Sequence, residues 1–159
     1  MNAAREALEQ YVAAGMLMQV ATVSASGDPA VCHVWYHAVF RPDQLYFMSR
    51  RDRAHSANLR DDPRVAGGIV TIPLSGLGQV VRGVTFKGRA RELDIAATAE
   101  ITAFTRRWPG ARNALDGQKP SNPDTSSRLY EITVSEWVLF DEEGFRGSPR
   151  RVVLAESGD

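Results

Sequence analysis

The sequence predicts a mainly β fold, a small β-barrel with peripheral helices. Three observations point there. Short runs rich in Val, Ile and aromatic residues recur along the chain, each bounded by Gly, Pro, Asp or Ser clusters. Helical spacing of apolar residues is confined to a few stretches. The 159 residues suit one domain, 1–159, with a sizeable core.

The elements follow in order. Residues 2–14 read as an amphipathic helix, with Leu8, Tyr11 and Val12 as its apolar stripe and Gly15 as its stop. Met16–Ser24 reads as a strand and Ser26–Pro29 as a turn. A second strand spans Ala30–Phe40. Arg41-Pro42-Asp43 turns it into a third at Leu45–Ser49, so the start looks like an antiparallel meander. A short polar helix with Ala54, Ala57 and Leu59 as apolar points ends at Pro63. Arg64–Ile72 is a fourth strand, and 73–79 is turn chemistry. Val80–Leu93 is a long fifth strand, with Val84, Phe86, Gly88 and Ala90 on one face and Thr85, Lys87, Arg89 and Arg91 on the other. Gly88 in mid-strand marks a bulge or a close backbone approach.

Asp94 is placed to cap a helix over 95–108, whose apolar face is Ala97, Ile101, Phe104 and Trp108. Pro109 ends it. Residues 109–127 read as irregular, either a mobile surface loop or a lid, with mobility the first expectation. Leu129–Phe140 is the sixth strand, and its alternation changes phase near Ser135-Glu136, which predicts a bulge. A final strand falls at Arg151–Leu154, and 155–159 is expected to fray. Trp137 and Phe140 read as core or as contacts with a second copy.

Composition narrows the function classes. Lys and Arg number 19, and so do Asp and Glu, which leaves no net charge. Nothing electrostatic therefore favours nucleic acid or a membrane surface as partner. Cys32 is the only cysteine, so neither an internal disulfide nor a cysteine-built zinc site is expected. The chain shows no apolar signal core and no run of about 20 apolar residues. A cytoplasmic protein is the expectation.

The stretch 44–63, QLYFMSRRDRAHSANLRDDP, carries the most chemistry. A strand runs through a basic turn, Arg50-Arg51-Asp52-Arg53, into a helix start. The first amides of a helix lack internal partners and sit in positive potential, which suits an anion. Arginine adds a planar fork matched to phosphate. The stretch Ser49–Ser56 is thus a candidate grip for a phosphate-bearing cofactor. A solvated surface turn uses the same residues.

With HVWY at 33–36, LYFMS at 45–49, RAHSANL at 53–59, DDPRVAGGIV at 61–70 and RGVTFKGRARELD at 82–94, the chain resembles the pyridoxamine-phosphate oxidase-like family, the FMN-binding split barrels. The likeness covers about residues 5–154. It implies a six-stranded split barrel and a homodimer with two flavin sites at its interface. By the resemblance, His33, Val34, Trp35 and Tyr36 lie along the flavin ring, and Phe47, Met48 and Ser49 flank the ribityl chain and phosphate. Arg53, His55 and the neighbouring Ser56 fall at the phosphate, and Gln79 and Arg82 reach the partner's site. His55 stands where the family usually has lysine. The substrate-pocket Arg and His of the true oxidases find no match, so that activity is not implied. The resemblance implies FMN and a redox reaction on an unknown small organic substrate. A deazaflavin-dependent reductase and a non-enzymatic flavin or haem binder are the alternatives.

Other motifs carry less. His33 and His37 share a strand face but lie about 13 Å apart, too far for one metal, and no metal site is expected. Trp35 and Tyr36 suit packing or a flavin platform. Cys32 suits a small buried group. The GLG at 76–78 does not open a helix, so it is not a dinucleotide loop.

Overall fold

The computed structural model describes residues 2–116 and 122–158. Seven strands are joined as β1 (Leu17–Val23), β2 (Pro29–Val39), β3 (Gln44–Arg50), β4 (Arg64–Ile69), β5 (Arg82–Glu92), β6 (Ser127–Asp141) and β7 (Arg150–Leu154). All pairings are antiparallel. The sheet order is β3-β2-β1-β4-β5-β6-β7, and β3 also pairs with β6, which closes β1 to β6 into a barrel and leaves β7 outside on β6. Two meanders build it, β1-β2-β3 and β4-β5-β6, and the β1–β4 pairing joins them.

The core follows from alternation along each strand. On β5, Val84, Phe86, Gly88 and Ala90 point inward, and Thr85, Lys87, Arg89 and Arg91 point outward. On β6, the inward set is Tyr130, Ile132 and Val134, then Trp137 and Leu139. The phase slips by one residue, as expected near Ser135. Lys87 pairs with Glu136 and Gly88 with Val134, so Ser135 is the extra residue of a bulge. Opposite it, a Cβ on Gly88 would collide with the carbonyl oxygen of Thr133. The obstacle is backbone and cannot rotate away. Gly88→Ala is therefore expected to cost about 1–3 kcal/mol, the scale of overpacking, read as a lower urea midpoint with unchanged slope.

Helix α1 (Ala3–Ala14) sends Leu8, Tyr11 and Val12 into the barrel core. The Tyr11 hydroxyl donates to the Arg82 carbonyl oxygen (2.8 Å) and accepts from the Thr71 amide (2.8 Å), tying α1 to the β4–β5 region. Helix α2 (Ala54–Asp61) adds Leu59 to the same core, and its Asn58 amide donates to Thr22 Oγ1 (3.0 Å). Helix α3 (Thr98–Arg107) lays Phe104 over the outer face of the barrel, where Tyr46, Leu93 and Leu129 form a second cluster.

Three expectations are corrected here. Asp94 does not cap the helix directly. Its carboxylate accepts from the Ala96 amide (2.8 Å) in a preceding turn, and α3 starts at Thr98. Residues 109–116 are not irregular. A 3₁₀ turn (Pro109–Ala111) leads into α4 (Arg112–Leu115), with Ala111 and Leu115 buried in the second cluster. Proline suits a first helical turn as well as a stop, and the sequence alone does not say which. The expected mobility of 109–127 falls partly on 117–121, outside the described residues. Lastly, the tail is held at Glu156. Its amide and carbonyl both bond to Asp43, and its carboxylate meets Arg41 at 3.4 Å.

Candidate functional site

The β3–α2 junction is shaped by its own side chains. Ser56 is fully buried, and its hydroxyl donates to the Arg50 carbonyl oxygen (2.8 Å), closing the turn. Ser49 Oγ lies 2.7 Å from His55 Nε2. His55 is half-buried; burial lowers its pKa and the Arg53 charge pushes the same way, so the ring is neutral near pH 7.

The arginines of the turn are not equivalent. Arg50 is held by Asp52, with Nε 2.9 Å from Oδ1. Arg51 meets Glu92 at 2.9 Å and Asp124 at 3.5 Å. Glu92 also accepts from the Tyr130 hydroxyl (3.0 Å) and lies 3.8 Å from Arg60, whose guanidinium donates to the Arg51 carbonyl oxygen (3.1 Å). These bonds brace the turn and use up two of its charges. Arg53 alone is exposed with no carboxylate partner among the described residues.

Arg53 is also the N-cap of α2 and makes no capping bond. The amides of residues 54–56 find no acceptor among the described residues. A cation at the positive end of a helix is unfavourable by itself. With three free amides beside it, the same arrangement becomes a seat for an anion.

Strand alternation sorts the other predicted residues. Val34, Tyr36 (1 % exposed) and Phe47 face the barrel core. Tyr36 donates its hydroxyl to the Val12 carbonyl oxygen, and Phe47 stacks on Tyr130 with centroids 5.1 Å apart. For an outside ligand these three offer backbone only, so the side-chain part of their predicted role is corrected. Outward-facing are His33 and Trp35, the latter 55 % exposed, with Met48 half-buried beside them on β3; Ser49, next along the strand, has the opposite parity and meets His55.

Gln79 and Arg82 are not brought to this cluster within the chain. The Gln79 amide is spent inside its own loop, accepting from the Ser75 hydroxyl (2.9 Å) and donating to the Pro73 carbonyl oxygen (2.9 Å). Arg82 pairs with Asp141 (3.1 Å) in a separate cleft beside α1. Among the described residues no group of His, Cys, Asp and Glu is gathered that would hold a metal ion. Cys32 packs against the core, and burial pushes its thiol pKa up.

A cleft of about 420 Å³ opens beside the outward faces of β2 and β3. It is lined by His33, Trp35 and Met48 and, from the far side, by Phe104, Trp108 and Gly110. By spacing alone Phe104 and Trp108 fall on an apolar helix face, with nothing that marks them as part of a site. The adjacent Trp108-Pro109 pair was the available signal.

A closed antiparallel barrel of six strands with a seventh outside defines a split-barrel protein. The chain belongs to the pyridoxamine 5'-phosphate oxidase family, whose model matches residues 4–141. Among curated proteins none matches the chain. Several solved structures share its fold. A haem-binding protein from Mycobacterium smegmatis is 19 % identical at a TM-score of 0.77, over 99 % of this chain and 62 % of that one. HutZ, the haem storage protein from Vibrio cholerae, is 14 % identical at 0.67, over 96 % and 95 %. A FAD-binding protein from Mesorhizobium loti is 18 % identical at 0.60, over 86 % and 92 %. No helix among the described residues is long and apolar enough to cross a membrane.

Proposed function

We propose that this protein binds FMN and uses it in a redox reaction on a small organic substrate. One observation carries the reading. Helix α2 begins with an unpaired Arg53 and three amides without acceptors, beside the Ser49–His55 pair. That donor set fits a phosphate: a guanidinium fork, backbone N–H groups and the one proton that the Ser49–His55 pair leaves free.

When bound, the flavin supplies the two-electron chemistry, and the protein supplies orientation and electrostatics. Arg53 holds the phosphate end, with His55 as a neutral donor oriented through Ser49. Glu92 keeps Arg51 in place, so the turn presents Arg53 in one geometry. No protein acid or base is needed, which agrees with the lack of a catalytic motif.

The test is a titration of the purified protein with FMN, followed by flavin fluorescence. Saturable quenching at micromolar FMN, much weaker with riboflavin, is the expected result. Equal affinity for both flavins would remove the phosphate seat. No flavin binding, together with a Soret band on adding haem or saturable binding of a deazaflavin, would replace the reading with one of its alternatives.

The protein is further proposed to be a homodimer. Val70, Leu74, Leu77, Val80 and Val81 are exposed around the β4–β5 connection, and Val31 is exposed on β2. Apolar side chains gathered like this commonly mark an interface. That connection carries Gln79 and leads into Arg82, and it would be the segment one copy extends toward the other's cofactor. Leu74→Asp with Leu77→Asp is expected to shift light-scattering mass from dimer to monomer. A dimer of unchanged stability in this variant would place the interface elsewhere.

A further inference from the structure

The cleft between the barrel and α3 has built walls. The Trp35 and Trp108 rings meet with centroids 5.1 Å apart at 56°, forming an open aromatic corner. Trp108 is fixed in place. Its Nε1 donates to the Tyr36 carbonyl oxygen (2.9 Å), and the Arg107 guanidinium lies over its ring at 5.0 Å. With that donor spent, Trp108 presents ring surface to the cleft and nothing polar.

No charged side chain lines the cleft among the described residues. Arg107, next in sequence to Trp108, is tied to the Gly15 carbonyl oxygen (3.0 Å). Among the lining side chains His33 offers a free imidazole, and the Trp35 indole N–H also has no partner among the described residues. A phosphate or carboxylate placed here would lose water and meet no cation. A neutral ring would instead gain contact with two indoles and with the adaptable Met48 thioether. The volume, about 420 Å³, lies in the range of small-molecule sites.

We infer that this cleft is the substrate side of the flavin site and takes a neutral, planar aromatic molecule, with a polar substituent directed at His33. The role as substrate rests on the flavin reading; the binding of the aromatic molecule does not. The anion seat at α2 selects the cofactor, and the uncharged aromatic corner selects what meets it.

The test uses N-phenyl-1-naphthylamine, a neutral aromatic whose fluorescence rises in apolar surroundings, with pyridoxal 5'-phosphate as a charged competitor. Saturable binding is expected with and without saturating FMN, and pyridoxal 5'-phosphate should not displace the dye. Energy transfer should come from Trp35 and Trp108, so Trp35→Ala should reduce it. Gly110→Leu narrows the cleft without a backbone clash, since a Cβ at Gly110 meets no atom within 4 Å. It should weaken the dye about tenfold or more while leaving the FMN titration unchanged. No saturable dye binding, unchanged binding in Gly110→Leu, or mutual exclusion of dye and FMN would overturn the inference. If FMN fails to bind while Gly110→Leu still loses the dye, the cleft stands as an aromatic site and only its role as substrate side falls.

Discussion

Replacing Asp43 with alanine is expected to destabilise the protein by about 3–5 kcal/mol, the scale of breaking a buried ion pair. Asp43 is 1 % exposed and Arg5 3 % exposed. The guanidinium grips the carboxylate with both arms, at 2.7 and 2.6 Å. The same carboxylate accepts from Trp137 Nε1 (2.7 Å) and the Glu156 amide (3.2 Å). Alanine would strand these three donor groups, one of them charged, and the Arg41 amide, which meets the carboxylate at 3.5 Å. Glu9, 2.6 Å from Arg5, and Glu156, at 3.6 Å, remain as partners for that charge and limit the loss. For a domain of this size the melting temperature should fall by about 10 °C. A fall of only a degree or two would mean that water or rearrangement satisfies Arg5. Arg5→Met combined with Asp43→Leu should recover part of the loss, because an apolar pair strands no charge.

This network also sets an acid limit. Burial pushes the Asp43 carboxyl up, but the bonds from Arg5, Trp137 and the Glu156 amide outweigh it and hold the pKa below the ordinary carboxylate value. The folded pKa is thus depressed relative to the unfolded chain, where it is about 3.9. Its contribution is present above that value and is lost as pH falls through the folded pKa. Melting temperature should therefore drop steeply below about pH 4, and this component should be missing in Asp43→Ala.

The second large effect concerns the cofactor. Arg53→Ala with His55→Ala is expected to weaken FMN by about 100-fold, taking about 1.5–3 kcal/mol for a charge-assisted hydrogen bond and less for a neutral one. Riboflavin, which has no phosphate, should bind the variant and the parent alike. Arg53 is exposed and makes no capping bond, so folding should be preserved. Unchanged FMN affinity in a folded variant would remove these two residues from the phosphate. Arg50→Ala should have a smaller effect, because Asp52 already takes that charge.

Much of the barrel was legible from local pattern. The two faces of β5, the bulge at Ser135 and the close approach at Gly88 all follow from period-two alternation and from where it slips. The candidate anion seat was legible too, because a helix start after a basic turn is a local arrangement. Trp35 and Tyr36 were harder. Adjacent strand residues point to opposite faces, and which face is the inside depends on closure. Closure put Tyr36 in the core and Trp35 outside.

The sequence by itself determined the succession of strands along the chain, the inward and outward sets on β5, and the family to which the chain belongs. Each of these is written in residues close together along the chain. Only the tertiary structure decided which arginine of the turn stays free. Glu92 reaches Arg51 from 41 positions away, and no local rule contains that pairing. It also decided that Glu156 is held rather than frayed, and that Trp108 forms a wall opposite Trp35. Ion pairs and aromatic corners act through space, so their partners are set by the closed barrel and not by spacing along the chain.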